Sequence, residues 1–272
     1  MGLFGNFVAG GLAGLAVDLC LFPLDTIKTR LQSEQGFFKA GGFSGIYKGI
    51  GSVLSGSIPS AAIFFIVYEG FKAYYSIYPP GSTSEAAVQA IASALGAIAA
   101  CIVRVPVEVV KQRSQVSLDS TKSSLDVFRE TVAKEGYHGL YRGFRITVIR
   151  DSLFSLLEFP IWEQMKTFYA VYYGLEKTAP LAGACLGGVA GAISGFLTTP
   201  IDVAKTQMML ADSDALATKM GLLQSLVRIG GQGGLPGLFR GAVPRVCWIS
   251  IGGFIFLGVY DSALTYMSTV AV

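Results

Sequence analysis

Long apolar runs alternate with polar connections along this chain, and six of the runs are long enough to cross a bilayer, which takes about 20 mostly apolar residues. They cover about 5–31, 52–76, 84–113, 145–172, 180–208 and 243–268. Each is flecked with glycine, serine and isolated charges, so the pattern predicts helices that turn one face to lipid and another to a polar interior. Gly10 and Gly14 in the first run, and Gly183, Gly187, Gly191 and Gly195 in the fifth, stand four apart, the spacing that lets membrane helices approach closely. The ladder in the fifth run is therefore read as a packing face. An amphipathic stretch near Ser124–Lys134 predicts a short helix in the connection between the third and fourth runs.

A second pattern lies on the first. Pro23–Gln32 reads Pro-Leu-Asp-Thr-Ile-Lys-Thr-Arg-Leu-Gln, Pro106–Gln115 reads Pro-Val-Glu-Val-Val-Lys-Gln-Arg-Ser-Gln, and Pro200–Met209 reads Pro-Ile-Asp-Val-Ala-Lys-Thr-Gln-Met-Met. Residues three apart on a helix are neighbours, so Asp25/Lys28, Glu108/Lys111 and Asp202/Lys205 each put both charge signs on one face. Pro23, Pro106 and Pro200 remove a backbone donor and kink the helix just before each pair. Each following connection closes in an aromatic residue, a base and glycine: Tyr47-Lys48-Gly49, Tyr141-Arg142-Gly143 and Phe239-Arg240-Gly241. The chain thus divides into three repeats of roughly 90 residues, at 1–80, 81–175 and 176–272. Each repeat crosses the membrane twice, so all three copies share one orientation and their symmetry axis runs along the membrane normal. The fold class expected is an all-α membrane protein of six transmembrane helices in a threefold pseudo-symmetric bundle, with short helices in the connections and a central path.

Composition agrees: of 272 residues, 52% are hydrophobic and 14% charged, against roughly 25% charged in a soluble domain. The net charge is only +3, but most of the 21 Lys and Arg lie in or beside the three connections that follow the odd runs. Lys72, Lys166 and Lys177 lie at the other ends, and Arg104 and Arg150 within spans. By the positive-inside tendency the long connections face the inner compartment and both termini face out. Cys20, Cys101, Cys185 and Cys247, one per span, have no spacing that suggests a disulfide framework or a metal site. The amino terminus has no Arg-rich amphipathic leader, so targeting information is expected to be internal. The sole histidine, His138, lacks catalytic company, and the glycines at 41–42 and 230–234 lack the Lys-Ser/Thr ending of a phosphate loop, so no enzyme is expected.

Charges inside the spans mark candidate chemistry. Asp18 stands two helical turns before Asp25 on the same face, where an acid lines a watery path or hydrogen-bonds a neighbouring helix. Arg104, Glu108 and Lys111 form a stripe that lipid would not accept. The fourth run holds Arg150-Asp151 and Glu158. At the ends opposite the prolines stand Tyr68-Glu69 with Lys72, Trp162-Glu163 with Lys166, and Tyr260-Asp261, after which Leu264 replaces the base that the pattern leads one to expect.

These residues resemble the mitochondrial carrier family, whose motif is Pro-x-acid-x-x-base-x-base, a spacer, acid-Gly, four residues and aromatic-base-Gly, in three copies. The second copy here matches throughout; the first has Gly41 where the acid belongs, and the third has Gln207 for a base and Gly233 for the acid. The resemblance implies a multi-pass, monomeric carrier of the mitochondrial inner membrane with both termini toward the intermembrane space. Its implied partners are a small-molecule substrate and membrane lipid, cardiolipin at the matrix-side helix ends included; no cofactor and no nucleic acid are implied. Alternating access would run between a matrix gate and a cytoplasmic gate. Carried over residue by residue, the matrix pairs are Asp25 with Lys111, Glu108 with Lys205 and Asp202 with Lys28, braced by Gln32 and Gln115. The cytoplasmic pairs are Glu69 with Lys166 and Asp261 with Lys72, while Glu163 lacks a partner; Tyr68, Trp162 and Tyr260 precede the three acids. Three pairs and two braces against two pairs predicts a resting state with the matrix gate shut.

Substrate-contact positions of the family map to Gly56, Arg150-Asp151 and Ile249. An arginine beside an acid suits an amino-acid-like substrate, because Arg takes a carboxylate as a fork and the acid takes an ammonium; structural pairing of Arg150 with Asp151 or Glu158 is the alternative. The runs Val17-Asp18-Leu19, Phe22–Gln32, Gly42–Tyr47, Arg104-Val105-Pro106 and Phe159–Glu163 carry the likeness further, to carriage of S-adenosylmethionine in exchange for S-adenosylhomocysteine, although Leu153 stands where that branch has proline. On that reading Arg150 takes the carboxylate, Asp151 the ammonium, Asp18 or Glu158 the sulfonium, and Phe154 or Trp248 the adenine ring, beside Arg104. Trp248 fits the cavity or the lipid interface equally. Carriage of another amino-acid-like or nucleotide-like solute, or a channel or proton leak, are the competing readings.

Overall fold

A proline inside an apolar helix removes one hydrogen bond but leaves the rest of the ladder intact, and two of the three motif helices run straight through theirs. The computed structural model describes residues 3–77, 85–117, 122–174, 180–211, 220–253 and 255. In chain order its helices are α1 (Leu3–Gln32), α2 (Ile50–Ile77), α3 (Glu85–Val116), α4 (Ser124–Leu140), α5 (Phe144–Tyr173), α6 (Pro180–Leu197), α7 (Thr199–Leu210), α8 (Leu222–Leu238) and α9 (residues 242–253). Pro23 and Pro106 are interior to α1 and α3. The fifth run differs from the single kinked span expected over 180–208: it breaks at Thr198, and α6 and α7 meet at 62°. The Thr198 and Thr199 hydroxyls donate back to the carbonyls of Ser194 (2.7 Å) and Gly195 (2.8 Å). Two such back-bonds directly before a proline concentrate the loss of ladder hydrogen bonds in one turn.

Among the described residues, Ile50–Tyr75 and Ile91–Val116 are apolar and long enough to cross a membrane, and α6 with α7 adds a third crossing if taken as one bent span. Helix α5 has the length, at 30 residues, but Arg150, Asp151, Glu158, Glu163 and Lys166 interrupt its apolar character.

The threefold pseudo-symmetry is visible in hydrogen bonds. The side chain two residues after each motif lysine donates to a carbonyl at the end of the next motif helix: Arg30 Nε to Gln115 (2.8 Å), Arg113 Nε to Met209 (3.1 Å), and Gln207 Nε2 to Gln32 (3.4 Å). The closing glycines repeat too. Gly49, Gly143 and Gly241 take positive φ of 90°, 75° and 75°, and a Cβ on them would lie 2.9, 3.7 and 3.3 Å from the carbonyls of Lys111, Lys205 and Lys28. Each turn that starts an even span is thus packed on the motif turn of the following repeat.

The connections differ. Helix α4 begins with a capping box between Ser123 and Asp126, and its buried face (Val127, Leu140) packs on Val110 of α3. On its exposed face Lys122 and Lys134 donate to Glu130 and hold that carboxyl down at about 2. Helix α8 packs Ile229 on Val203 and Ala204 of α7 in the same manner. The first connection, 33–49, is turns alone. There Gly41 replaces the acid, and Arg30 is instead held by backbone: Nη1 donates to Gly42 (2.6 Å) and Ser44 (2.7 Å), Nη2 to Gly45 (3.4 Å). In the second repeat, which keeps the acid, Glu135 joins Arg113 and Arg142, each at 3.0 Å.

Candidate functional site: a charged cavity closed at the motif end

The three motif copies converge at one end of the bundle and pair across helices in a ring. Lys111 of α3 lies 2.7 Å from Asp25 of α1, Lys205 of α7 2.7 Å from Glu108 of α3, and Lys28 of α1 2.7 Å from Asp202 of α7. Gln115 Nε2 donates to Asp25 (3.0 Å) and Thr26 (3.1 Å). Gln32 Nε2 donates to Asp202 (3.0 Å), and Gln32 accepts from Thr206 (2.7 Å). Met209, at the third equivalent position, is fully buried among Cys101, Val105 and Val109. Asp202 and Lys205 are each 1% exposed, so this end of the ring is dry, and losing either partner would leave an uncompensated buried charge.

The ring is not symmetric, because Asp202 gathers more cations than Asp25 or Glu108. Besides Lys28 it meets Arg245 Nη1 at 3.2 Å and Arg150 Nη2 at 3.1 Å. Arg245 also donates to the Thr198 hydroxyl (2.8 Å) and carbonyl (3.4 Å), so the break between α6 and α7 supplies acceptors that an unbroken helix would keep for itself. In the sequence Arg245 is one of the charges beside the third connection, and its place one helical turn before Ile249 is the signal of its approach to the site. Arg150 contacts Asp151 at 2.7 Å as well, and its buried Nε has no hydrogen-bond partner. Asp151 in turn contacts Arg104.

Above the ring lies a cavity of about 590 Å³ whose lining includes Asp18, Arg104, Glu108, Arg150, Arg245 and Trp248. That volume is within the range of small-molecule sites, about 300–1,000 Å³. The cavity side therefore prevails for Trp248. Asp18 accepts from Ser57 at 3.4 Å and forms no ion pair among the described residues. Phe64 of α2 also lines it, stacked on Tyr68 with centroids 5.9 Å apart. The sequence reading missed Phe64, although it stands about two turns from Gly56 on one face.

Several expected contacts lie elsewhere. Ile249 turns into the glycine ladder of α6: a Cβ on Gly195 would meet its Cδ1 at 2.5 Å. Glu158 rests on the same ladder, 3.0 Å from a Cβ position on Gly191. None of these, nor Phe154 or Asp151, lines the cavity; Asp151 is held between Arg104 and Arg150. The ladder draws Ile249 and Glu158 away because glycines spaced by one turn open a groove that side chains of α5 and α9 fill. Gly56 lines the cavity but is needed for close packing, since a Cβ there would lie 2.4 Å from Val107 Cγ2.

At the opposite end the expected pairing of Glu69 with Lys166 is not made. Each side chain pairs within its own helix, Lys72 with Glu69 at 3.6 Å and Lys166 with Glu163 at 2.8 Å, because charges three apart on one helix meet without any helix moving. Glu163 accordingly has a partner. Trp162 donates from Nε1 to Gly183 (2.8 Å), tying α5 to α6, and its ring carries Lys166 Nζ at 3.9 Å. Lys72 Nζ lies 4.9 Å over Tyr68. Tyr260 and Asp261 lie outside the described residues.

A pseudo-threefold helical bundle around a cavity, sealed at one end by ion pairs and unsealed by such pairs between α2 and α5 at the other, is the architecture of a membrane carrier. The chain matches the family described as mitochondrial carrier protein over residues 1–78, 82–173 and 176–270, and it belongs to that family. It is a multi-pass solute transporter of the mitochondrial inner membrane and not an enzyme. It is 48% identical over 257 residues to a zebrafish (Danio rerio) mitochondrial S-adenosylmethionine carrier protein, covering 94% of each chain. A mouse (Mus musculus) protein of the same description is 47% identical over 264 residues, covering 96% of this chain and 94% of that one. A Drosophila melanogaster S-adenosylmethionine mitochondrial carrier protein homolog is 47% identical over 259 residues, with 95% and 91% covered.

Proposed function

We propose that the protein exchanges S-adenosylmethionine for S-adenosylhomocysteine by alternating access through this cavity. One observation supports the reading beyond the relatives: the same cavity holds a guanidinium with a buried donor unused, Arg150 Nε, and a carboxylate without an ion pair, Asp18. A donor left unsatisfied costs free energy until an acceptor arrives, and a lone carboxylate favours a cation. A substrate with a carboxylate at one end and a fixed positive charge elsewhere satisfies both. Arg150 takes the carboxylate, Asp151 the ammonium and Asp18 the sulfonium, while Trp248 and Phe64 offer faces to the adenine. The ring of Asp25, Glu108, Asp202 and their lysines, with Gln32 and Gln115, acts as the matrix gate; Glu69, Lys72, Glu163 and Lys166, with Tyr68, Trp162, Tyr260 and Asp261, act as the cytoplasmic gate. Because Arg150 also touches Asp202, substrate carboxylate competes with a gate acid for one guanidinium, which couples binding to release of the gate.

The protein works as a monomer, with both termini toward the intermembrane space. Cardiolipin occupies the groove of about 730 Å³ where Gly49–Ser52 at the start of α2 meets Ser123 and Ser124 at the start of α4, with the two helix starts toward its phosphates. The function is tested by ligand-induced stabilisation of the purified protein, since a ligand that binds only the folded state raises Tm. S-adenosylmethionine should raise it, and a decarboxylated analogue should raise it far less. Equal shifts for the two would contradict the role given to Arg150.

A further inference from the structure

The first connection lacks the amphipathic helix of the other two and carries instead a cluster of phenylalanines. Phe37 packs edge-on against Phe38 and Phe43, with centroids 5.3 and 4.9 Å apart. Phe38 is 86% exposed and Phe43 71% exposed. Such exposure of two large rings on one short loop calls for a covering surface. The loop is also rigidly placed, because the buried Arg30 guanidinium holds the carbonyls of Gly42, Ser44 and Gly45 from behind.

We infer that this connection docks on the lipid surface, with the Phe38 and Phe43 rings entering the membrane interface beside the inner ends of α1 and α2. Three observations select lipid as the occupant. Helix α2, whose exposed Ile58, Phe65 and Ile66 belong to a membrane-crossing stretch, begins directly after the connection. The two equivalent connections also present apolar side chains outward: Leu125 of α4 is 65% exposed, and Leu223 and Val227 of α8 are 77% and 76% exposed. Pseudo-symmetry puts the phenylalanine loop at the same level. Finally, exposed Lys39 stands directly after Phe38, so a cation accompanies the rings, as in interfacial anchors facing anionic headgroups. The phenylalanine loop then does for the first repeat what α4 and α8 do for the others.

The test places tryptophan at Phe38 in the full chain, reconstituted in nanodiscs of phosphatidylcholine and cardiolipin, and reads the emission added over the parent protein. Phe38→Trp should emit at shorter wavelength than tryptophan in water, lose most of that added emission with brominated lipid, and resist aqueous iodide. Phe43→Trp should do the same and serves if Phe38→Trp does not fold. Water-like emission quenched by iodide alone would overturn the inference, and protection from both quenchers would overturn it in favour of a protein contact such as a second copy of this chain.

Discussion

Asp202 is where the site's charges converge, since one carboxylate faces Lys28, Arg150 and Arg245 within 3.2 Å at 1% exposure. Asp25 is 20% exposed and meets Lys111 alone at ion-pair distance. Neutralising either breaks the ring, but only Asp202→Asn strands three cations, one of them, Arg245, buried. Loss of a partner from a buried pair costs about 3–5 kcal/mol, so Asp202→Asn should lower Tm well beyond Asp25→Asn; thermal unfolding of the two in one detergent measures this, and equal losses would mean the extra arginines contribute nothing. Arg150 should separate stability from transport. Arg150→Ala leaves Asp202 with two cations and should stay folded while exchange disappears, and Arg150→Lys should not restore exchange, because an ammonium cannot supply the planar fork. Asp18→Asn should reduce uptake of the sulfonium substrate more than that of its neutral thioether; matched losses for both solutes would make Asp18 structural.

At the level of elements, close approach is set by glycines whose replacements differ in kind. An alanine Cβ at Gly49 would lie 2.9 Å from the Lys111 carbonyl with φ at 90°, whereas at Gly195 its one close conflict would be with the movable tip of Ile249. The first conflict is with backbone and adds left-handed strain of about 1–2 kcal/mol. Gly49→Ala should therefore destabilise more than Gly195→Ala in thermal melts, and the reverse order would show that the α6 ladder is the tighter joint. Helix existence, the motif prolines and the packing use of the ladder were all legible in the sequence, because each rests on local spacing. The break between α6 and α7 was not: all three copies share Pro-x-acid-x-x-Lys, and what differs is the Thr198-Thr199 pair before Pro200, where Leu21-Phe22 and Val103-Arg104-Val105 precede the other prolines. Ile249 and Glu158 were misplaced for a related reason, as their helix faces depend on where the glycine groove lies.

For the whole molecule, repetition made the architecture readable. Three copies in one orientation define a ring, and a ring assigns partners across helices without any coordinates. At the opposite end the same charges satisfy themselves within one helix, as Lys72 does with Glu69 and Lys166 with Glu163, because α2 and α5 are not drawn together. With its motif-end ring made and its Glu69–Lys166 pair unmade, the molecule has the arrangement expected of a carrier whose matrix gate is shut. The most direct measurement is uptake of labelled S-adenosylmethionine into liposomes carrying the purified protein and loaded with S-adenosylhomocysteine or with buffer, with Arg150→Ala beside it. The account predicts saturable uptake that depends on the internal solute and is absent from the variant. Uptake independent of internal solute, or undiminished in Arg150→Ala, would contradict it.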